Sequence, residues 1–173
     1  MRCLILMLCL TVAMPISAAT QKEVDHLALA TVMLHDGHLD RAAASLAEVN
    51  PDDERIDAGR YYTLLGVVKM RQKIFDAALS AFDAAVTSGT TTPEIHLSRA
   101  RCAYALKRCD VVESAVARAG DLAKNDADVF VMRSECAWRT EAYGRALAVL
   151  SDAQSRFPAQ RRFGRQRIQR LMS

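Results

Sequence analysis

One pattern recurs four times along this chain and limits what it can fold into. An aromatic or aliphatic residue is followed three places later by alanine, and four places after that by another apolar residue. The copies are Leu39/Ala42/Leu46, Phe75/Ala78/Phe82, Val112/Ala115/Ala119 and Tyr143/Ala146/Leu150, and they follow one another at similar but uneven intervals. These spacings put the three side chains on one face of an α-helix, with alanine where a neighbouring helix must come close. Upstream of each copy lies a second amphipathic segment with a small residue in its middle: Ala30, Gly66, Ala103 and Ser134. Glycine inside a helix costs about 1 kcal/mol relative to alanine, so Gly66 argues for close helix packing. Short polar links (His35 to His38, Gln72-Lys73, Lys107 to Asp110, Thr140-Glu141) join the two segments of each unit. Breakers such as Asn50-Pro51, Ser88-Gly89, Asn125-Asp126 and Phe157-Pro158 separate the units. The unit read from the sequence is helix, tight turn, helix, loop.

Composition agrees. With 51% hydrophobic residues in 173 the chain can bury a core, which excludes disorder, while 7 Gly, 4 Pro and 6% aromatic residues are too few for a β-sandwich or barrel. The expected fold is all-α: an α-solenoid of about four stacked helix–turn–helix repeats with a basic C-terminal helix. The expected division is a signal peptide over 1–19, the repeat domain over 20–158 and a capping or partial-repeat helix over 159–173.

The repeat resembles the tetratricopeptide repeat (TPR) family, whose unit is a helix pair of about 34 residues. In the second unit Tyr62, Leu65-Gly66, Phe75, Ala78, Phe82 and Ala85 fall where the family has its large aromatic, Leu-Gly, aromatic, Ala, Phe and Ala. The fourth unit follows with Phe130, Ser134, Tyr143, Ala146, Leu150, Ala153 and Pro158, and the first with Leu29-Ala30, Gly37, Leu39, Ala42 and Leu46. The third is degenerate, with Cys102-Ala103 in place of Leu-Gly. The resemblance implies a non-enzymatic protein whose first helices line an inner surface suited to a peptide or a partner's helix, and exported proteins of this kind resemble bacterial envelope assembly factors.

Export is expected from the start of the chain. Met1-Arg2 is positive, Leu4 to Met14 is apolar, and Pro15-Ile16-Ser17-Ala18-Ala19 offers the helix break and small residues of a signal-peptidase site, leaving Thr20 as the first mature residue. The mature chain keeps three thiols, Cys102, Cys109 and Cys136. Cys102 and Cys136 sit on successive first helices but about one turn out of step in the alanine register, Cys109 is the other candidate partner, and the favoured reading leaves all three as buried, reduced residues.

No catalytic or metal constellation emerges. His35 and His38 are spaced as helix ligands, but Gly37 between them marks a turn and no third ligand is near. No glycine-rich phosphate loop or Cys-x-x-Cys pair occurs. The expectation is a non-enzymatic protein with no cofactor.

Charge supplies the recognition hypothesis. The first helices of units two to four carry Arg60, Lys69, Arg71, Arg99, Arg101, Lys107, Arg133 and Arg139 against fewer acids, whereas the second helices are net acidic. An acidic peptide or protein on the inner face is the natural partner, held by Arg60, Arg71, Arg101 and Arg139 with Leu64, Val67 and Met70 as apolar anchors. The alternative is an anionic membrane surface or polymer bound through Arg161, Arg162, Arg165, Arg167 and Arg170, a stretch with no acid. Nucleic acid is not expected for an exported protein.

Overall fold

A computed structural model of the chain describes residues 25–172. The leader segment 1–19 and the cleavage position at Thr20 lie outside the described residues. Within them the backbone forms nine helices and no strand: α1 (His26–His35), α2 (Leu39–Ala47), α3 (Ala58–Arg71), α4 (Phe75–Thr87), α5 (Pro93–Ala105), α6 (Cys109–Lys124), α7 (Ala127–Arg139), α8 (Tyr143–Arg156) and α9 (Arg162–Leu171). Consecutive helices pack as antiparallel neighbours, and each second helix also leans on the first helix of the next unit. The first helices α1, α3, α5 and α7 touch in a row.

First helices start on sequence signals. Asp25, Asp57 and Asp126 cap α1, α3 and α7, their carboxylates accepting the backbone N–H of Ala28, Arg60 and Asp128, and Pro93 opens α5 where a missing N–H costs nothing. The turns to the second helices are built alike. Gly37, Lys73, Lys107 and Glu141 all have φ between 60° and 81°, and the next residue in each case donates its N–H five residues back, as from His38 to the Met33 carbonyl and Ile74 to that of Lys69. This Schellman closure satisfies a helix-end carbonyl and reverses the chain.

The turn residues follow one another at nearly equal intervals, a more regular period than the alanines gave. Counting from them corrects the register of the third unit by three residues. The small residue seven places before the turn is Ala100, not Ala103, and the position five places after it is Val112 rather than Ala115. Abundant alanine at three-residue spacing masked the shift. In the corrected register Ala30, Gly66, Ala100 and Ser134 are equivalent, as are Leu46, Phe82, Val116 and Leu150, and all are buried. The pair Gly66 and Phe82 shows why this position must be small: a β-carbon on Gly66 would lie 2.7 Å from the Phe82 ring.

The core is strung along the axis, as stacking requires. Leu27, Leu34, Leu46 and Val68 join units one and two, a long cluster from Phe82 through Val112 to Met132 joins units two to four, and Phe130, Val149, Leu150 and Phe163 seat α9 on the last pair. Phe163 is fully buried, so α9 is a docked part of the solenoid. No helix among the described residues is long and apolar enough to cross a membrane.

Candidate functional site

The corrected period shows which side chains form rows across the inner helices. Six residues before each turn stand Thr31, Val67, Arg101 and Glu135, three before it Leu34, Met70, Tyr104 and Trp138, and two before it His35, Arg71, Ala105 and Arg139. Contacts between units run along these rows. Arg71 Nη1 donates to the Leu34 carbonyl at 2.7 Å, and Arg60 Nη2 reaches Thr31 Oγ1 at 3.5 Å. Tyr104 donates its hydroxyl proton to Glu135 Oε2 at 2.6 Å, while the Arg139 guanidinium lies over the Tyr104 ring, 5.6 Å from its centre. The Arg170 guanidinium stacks on Trp138 at 4.5 Å.

Of the residues singled out from sequence, Val67, Met70, Arg71, Arg101 and Arg139 fall in these rows and Arg60 stands at their head. Leu64 lies outside them and packs with α1 and α2. Val67 and Met70 are half-buried in contacts between helices, so their free apolar surface is smaller than the sequence implies. Arg101 binds the Asp126 carboxylate at 2.6 Å, which ties α5 to the cap of α7. Arg60, Arg71 and Arg139 remain exposed.

Sequence reasoning missed Tyr104, Glu135 and Trp138. Met70, Tyr104 and Trp138 recur with the same period as the turns, a signal hidden by the misplaced third unit. Burial, and then the hydrogen bond to Glu135, push Tyr104 up to about 12, so its hydroxyl is a standing donor at neutral pH. Acidic groups here are engaged: Glu135 by Tyr104 and Arg139, Asp126 by Arg101 and Asp128 by Arg162. The surface is a run of guanidinium groups and aromatic rings held in place by its own hydrogen bonds, suited to carboxylates and extended backbone.

Among the C-terminal arginines, Arg162 pairs with Asp128 at 2.8 Å and Arg170 covers Trp138, so both serve the fold. Arg161, just before α9, and Arg165 and Arg167 on it stay exposed.

The thiols differ from the reduced reading. Cys109, the first residue of α6, is disulfide-bonded to Cys136 in the last turn of α7, with Cα atoms 5.3 Å apart. Each second helix abuts the next first helix, which brings these two together. The one-turn offset between Cys102 and Cys136 vanishes in the corrected register, but Cys102 lies within the core as a free thiol, pushed up to about 11 by burial. His96 is buried, and burial together with the charges of Arg99 and Arg118 lowers its pKa. His35, Gly37 and His38 form the exposed first turn, and no group of three or more His, Cys, Asp or Glu able to hold a metal occurs among the described residues.

No family model and no curated protein sequence matches this chain. Solved structures do. YrrB, a TPR protein with an unusual peptide-binding site, superposes with a TM-score of 0.69 at 17% identity over 80% of this chain and 70% of its own. MamA from AMB-1 gives 0.72 at 10% identity over 84% and 78%. Cut9, in the APC/C hetero-tetramer Cut9–Hcn1, gives 0.64 at 18% identity over 84% of this chain but 29% of its own. The described residues thus have the fold of a TPR-like α-solenoid, with four helix pairs and a fifth first helix.

Proposed function

We propose that this protein is an exported, non-enzymatic adaptor or assembly factor of the bacterial cell envelope, which holds an acidic segment of a partner protein along its inner helices. The observation that carries the reading is the set Arg60, Arg71, Tyr104 and Arg139 on successive first helices, held by contacts between units one and two and between units three and four. Guanidinium groups fixed beside aromatic rings meet a carboxylate with little ordering cost, which favours recognition of an acidic chain. The likeness to YrrB supports a peptide as the form of ligand. Export rests on the basic start, apolar run and small residues of positions 1–19.

The test is a peptide library displayed on phage and selected on the wild-type protein. The selected peptides should be rich in Asp and Glu and should bind an Arg60→Glu/Arg71→Glu/Arg139→Glu variant about tenfold or more weakly. An Arg161→Glu/Arg165→Glu/Arg167→Glu variant should bind them undiminished. Exposed charges contribute up to about 1 kcal/mol each, so circular dichroism should show both variants folded. Peptides without acidic residues, or loss in the C-terminal variant alone, would overturn the reading.

A further inference from the structure

The junction of units two and three and that of units three and four are built on one plan, but the second lacks a side chain that the first has. Counted from the turn residues, Asp83 and Ala117 hold the same place on α4 and α6, and Arg99 and Arg133 the same place on α5 and α7. At the first junction the Arg99 Nε donates to the Asp83 carboxylate at 2.7 Å, its Nη2 pairs with the same oxygen, and the Arg99 side chain is 14% exposed. At the second junction alanine stands where that carboxylate would be. Arg133 instead reaches Glu113 through Nε at 3.3 Å, shares that group with Arg145 at 2.7 Å, and is 30% exposed.

A cleft of about 260 Å³ opens at this place, with Ala117 and Arg133 both in its lining. It lies between the C-terminal parts of α6 and α8, and Val116, Val129 and Phe130 give it an apolar wall. Gly120 widens it. This glycine replaces Val86 of the preceding unit, its φ of 57° and ψ of −128° take the chain off the helical path, and a β-carbon there would meet nothing within 4 Å. A side chain is strained at such a φ, so the backbone itself keeps the space clear.

The charged groups in the lining are Lys124, Arg133 and Arg156 against Asp152. Asp152 is bound by Arg156 of its own helix at 2.8 Å, and the Arg156 guanidinium lies over the Phe130 ring. Lys124 pairs with Asp121 at 2.7 Å. What the cleft lacks, by comparison with the preceding junction, is a carboxylate for Arg133.

We infer that this cleft is a binding site for a small branched aliphatic carboxylate. Its carboxyl group takes on Arg133 the part that Asp83 plays on Arg99, as charge-assisted hydrogen bonds to a guanidinium. Its alkyl group lies against Val116, Val129 and Phe130 in the space cleared at Gly120. An inorganic anion would match the charge but bury none of that apolar wall. The site shares no residue with the set Arg60, Arg71, Tyr104 and Arg139 and does not depend on the reading given above.

The probe is isovalerate, titrated into the isotope-labelled full chain and followed by NMR at the Arg133 Nε–H and the Gly120 amide. Both resonances should shift saturably. Isovaleramide, which lacks the charge, and acetate, which lacks the branched chain, should each bind about tenfold or more weakly. Ala117→Asp supplies the carboxylate from within the chain. It should move the Arg133 Nε–H resonance in the direction that isovalerate moves it and abolish the further response to the ligand, with the circular dichroism unchanged. A folding defect could remove binding but could not reproduce the liganded resonance. Arg133→Gln should also lose the response at Gly120. No saturable shift, equal binding of isovalerate and isovaleramide, an equal response to inorganic phosphate, or undiminished binding in Ala117→Asp would overturn the inference.

Discussion

Truncation of Phe82 to alanine should lower stability by about 3–5 kcal/mol, a fall of roughly 6–20 °C in the thermal midpoint. The ring is 1% exposed, and it fills the space that Gly66 leaves open between α3 and α4. Nothing small nearby can close over the gap, because the surrounding side chains belong to a cluster running through three units. The complementary change gives the sharper result. Gly66→Ala gains about 1 kcal/mol of helix propensity, but its new methyl group would stand 2.7 Å from the Phe82 ring. Overpacking of this kind costs about 1–3 kcal/mol, so the net effect should be destabilising. In a Phe82→Leu background the clash is relieved, and the same Gly66→Ala change should become neutral or stabilising. A double-mutant cycle by denaturant unfolding measures this coupling, and additive effects would contradict the assigned contact.

Loss of the Cys109–Cys136 bond is the other large expected effect. It closes a loop of 27 residues spanning the junction of units three and four. Freeing that loop in the unfolded chain should cost about 3–4 kcal/mol on the chain-entropy account. Cys109→Ala/Cys136→Ala should therefore melt roughly 5–15 °C below the oxidised protein, and reductant should lower the midpoint of the wild type but not of the variant. Alkylation after unfolding without reductant should label Cys102 and neither of the other two. In the native protein Cys102 should resist labelling, because it is buried and its thiol is pushed up to about 11. Labelling of Cys109 or Cys136 before reduction would remove the basis of the prediction.

The sequence carried the fold because the physics of the repeat is local. Spacings of three, four and seven residues set the buried faces, Asp25, Asp57 and Asp126 mark helix starts, and Gly66 marks a close crossing. The third unit was misread because its contact position holds Val112 while alanine is common three residues away. The geometry that fixes its phase is a left-handed turn at Lys107, and lysine gives no sign of the conformation that Gly37 announces in the first unit. That one shift concealed the row Met70, Tyr104, Trp138 and distorted the comparison of Cys102 with Cys136. The inner-face arginines were visible as charges, yet their partners were not. Arg101 to Asp126, Arg162 to Asp128 and Arg170 on Trp138 are long-range contacts that composition cannot supply.

Site-specific photo-crosslinking in living cells tests the central claim most directly. A benzophenone side chain placed at Arg60 or Arg139 sits on the inner row, whereas one at Ala44 or Ser114 sits on exposed surface of the second helices. The account predicts one dominant adduct, shared by the two inner positions, absent from the two outer ones, and mapping by mass spectrometry to an acidic segment of an envelope protein. The same adduct from inner and outer positions, or an adduct from the outer positions alone, would contradict it.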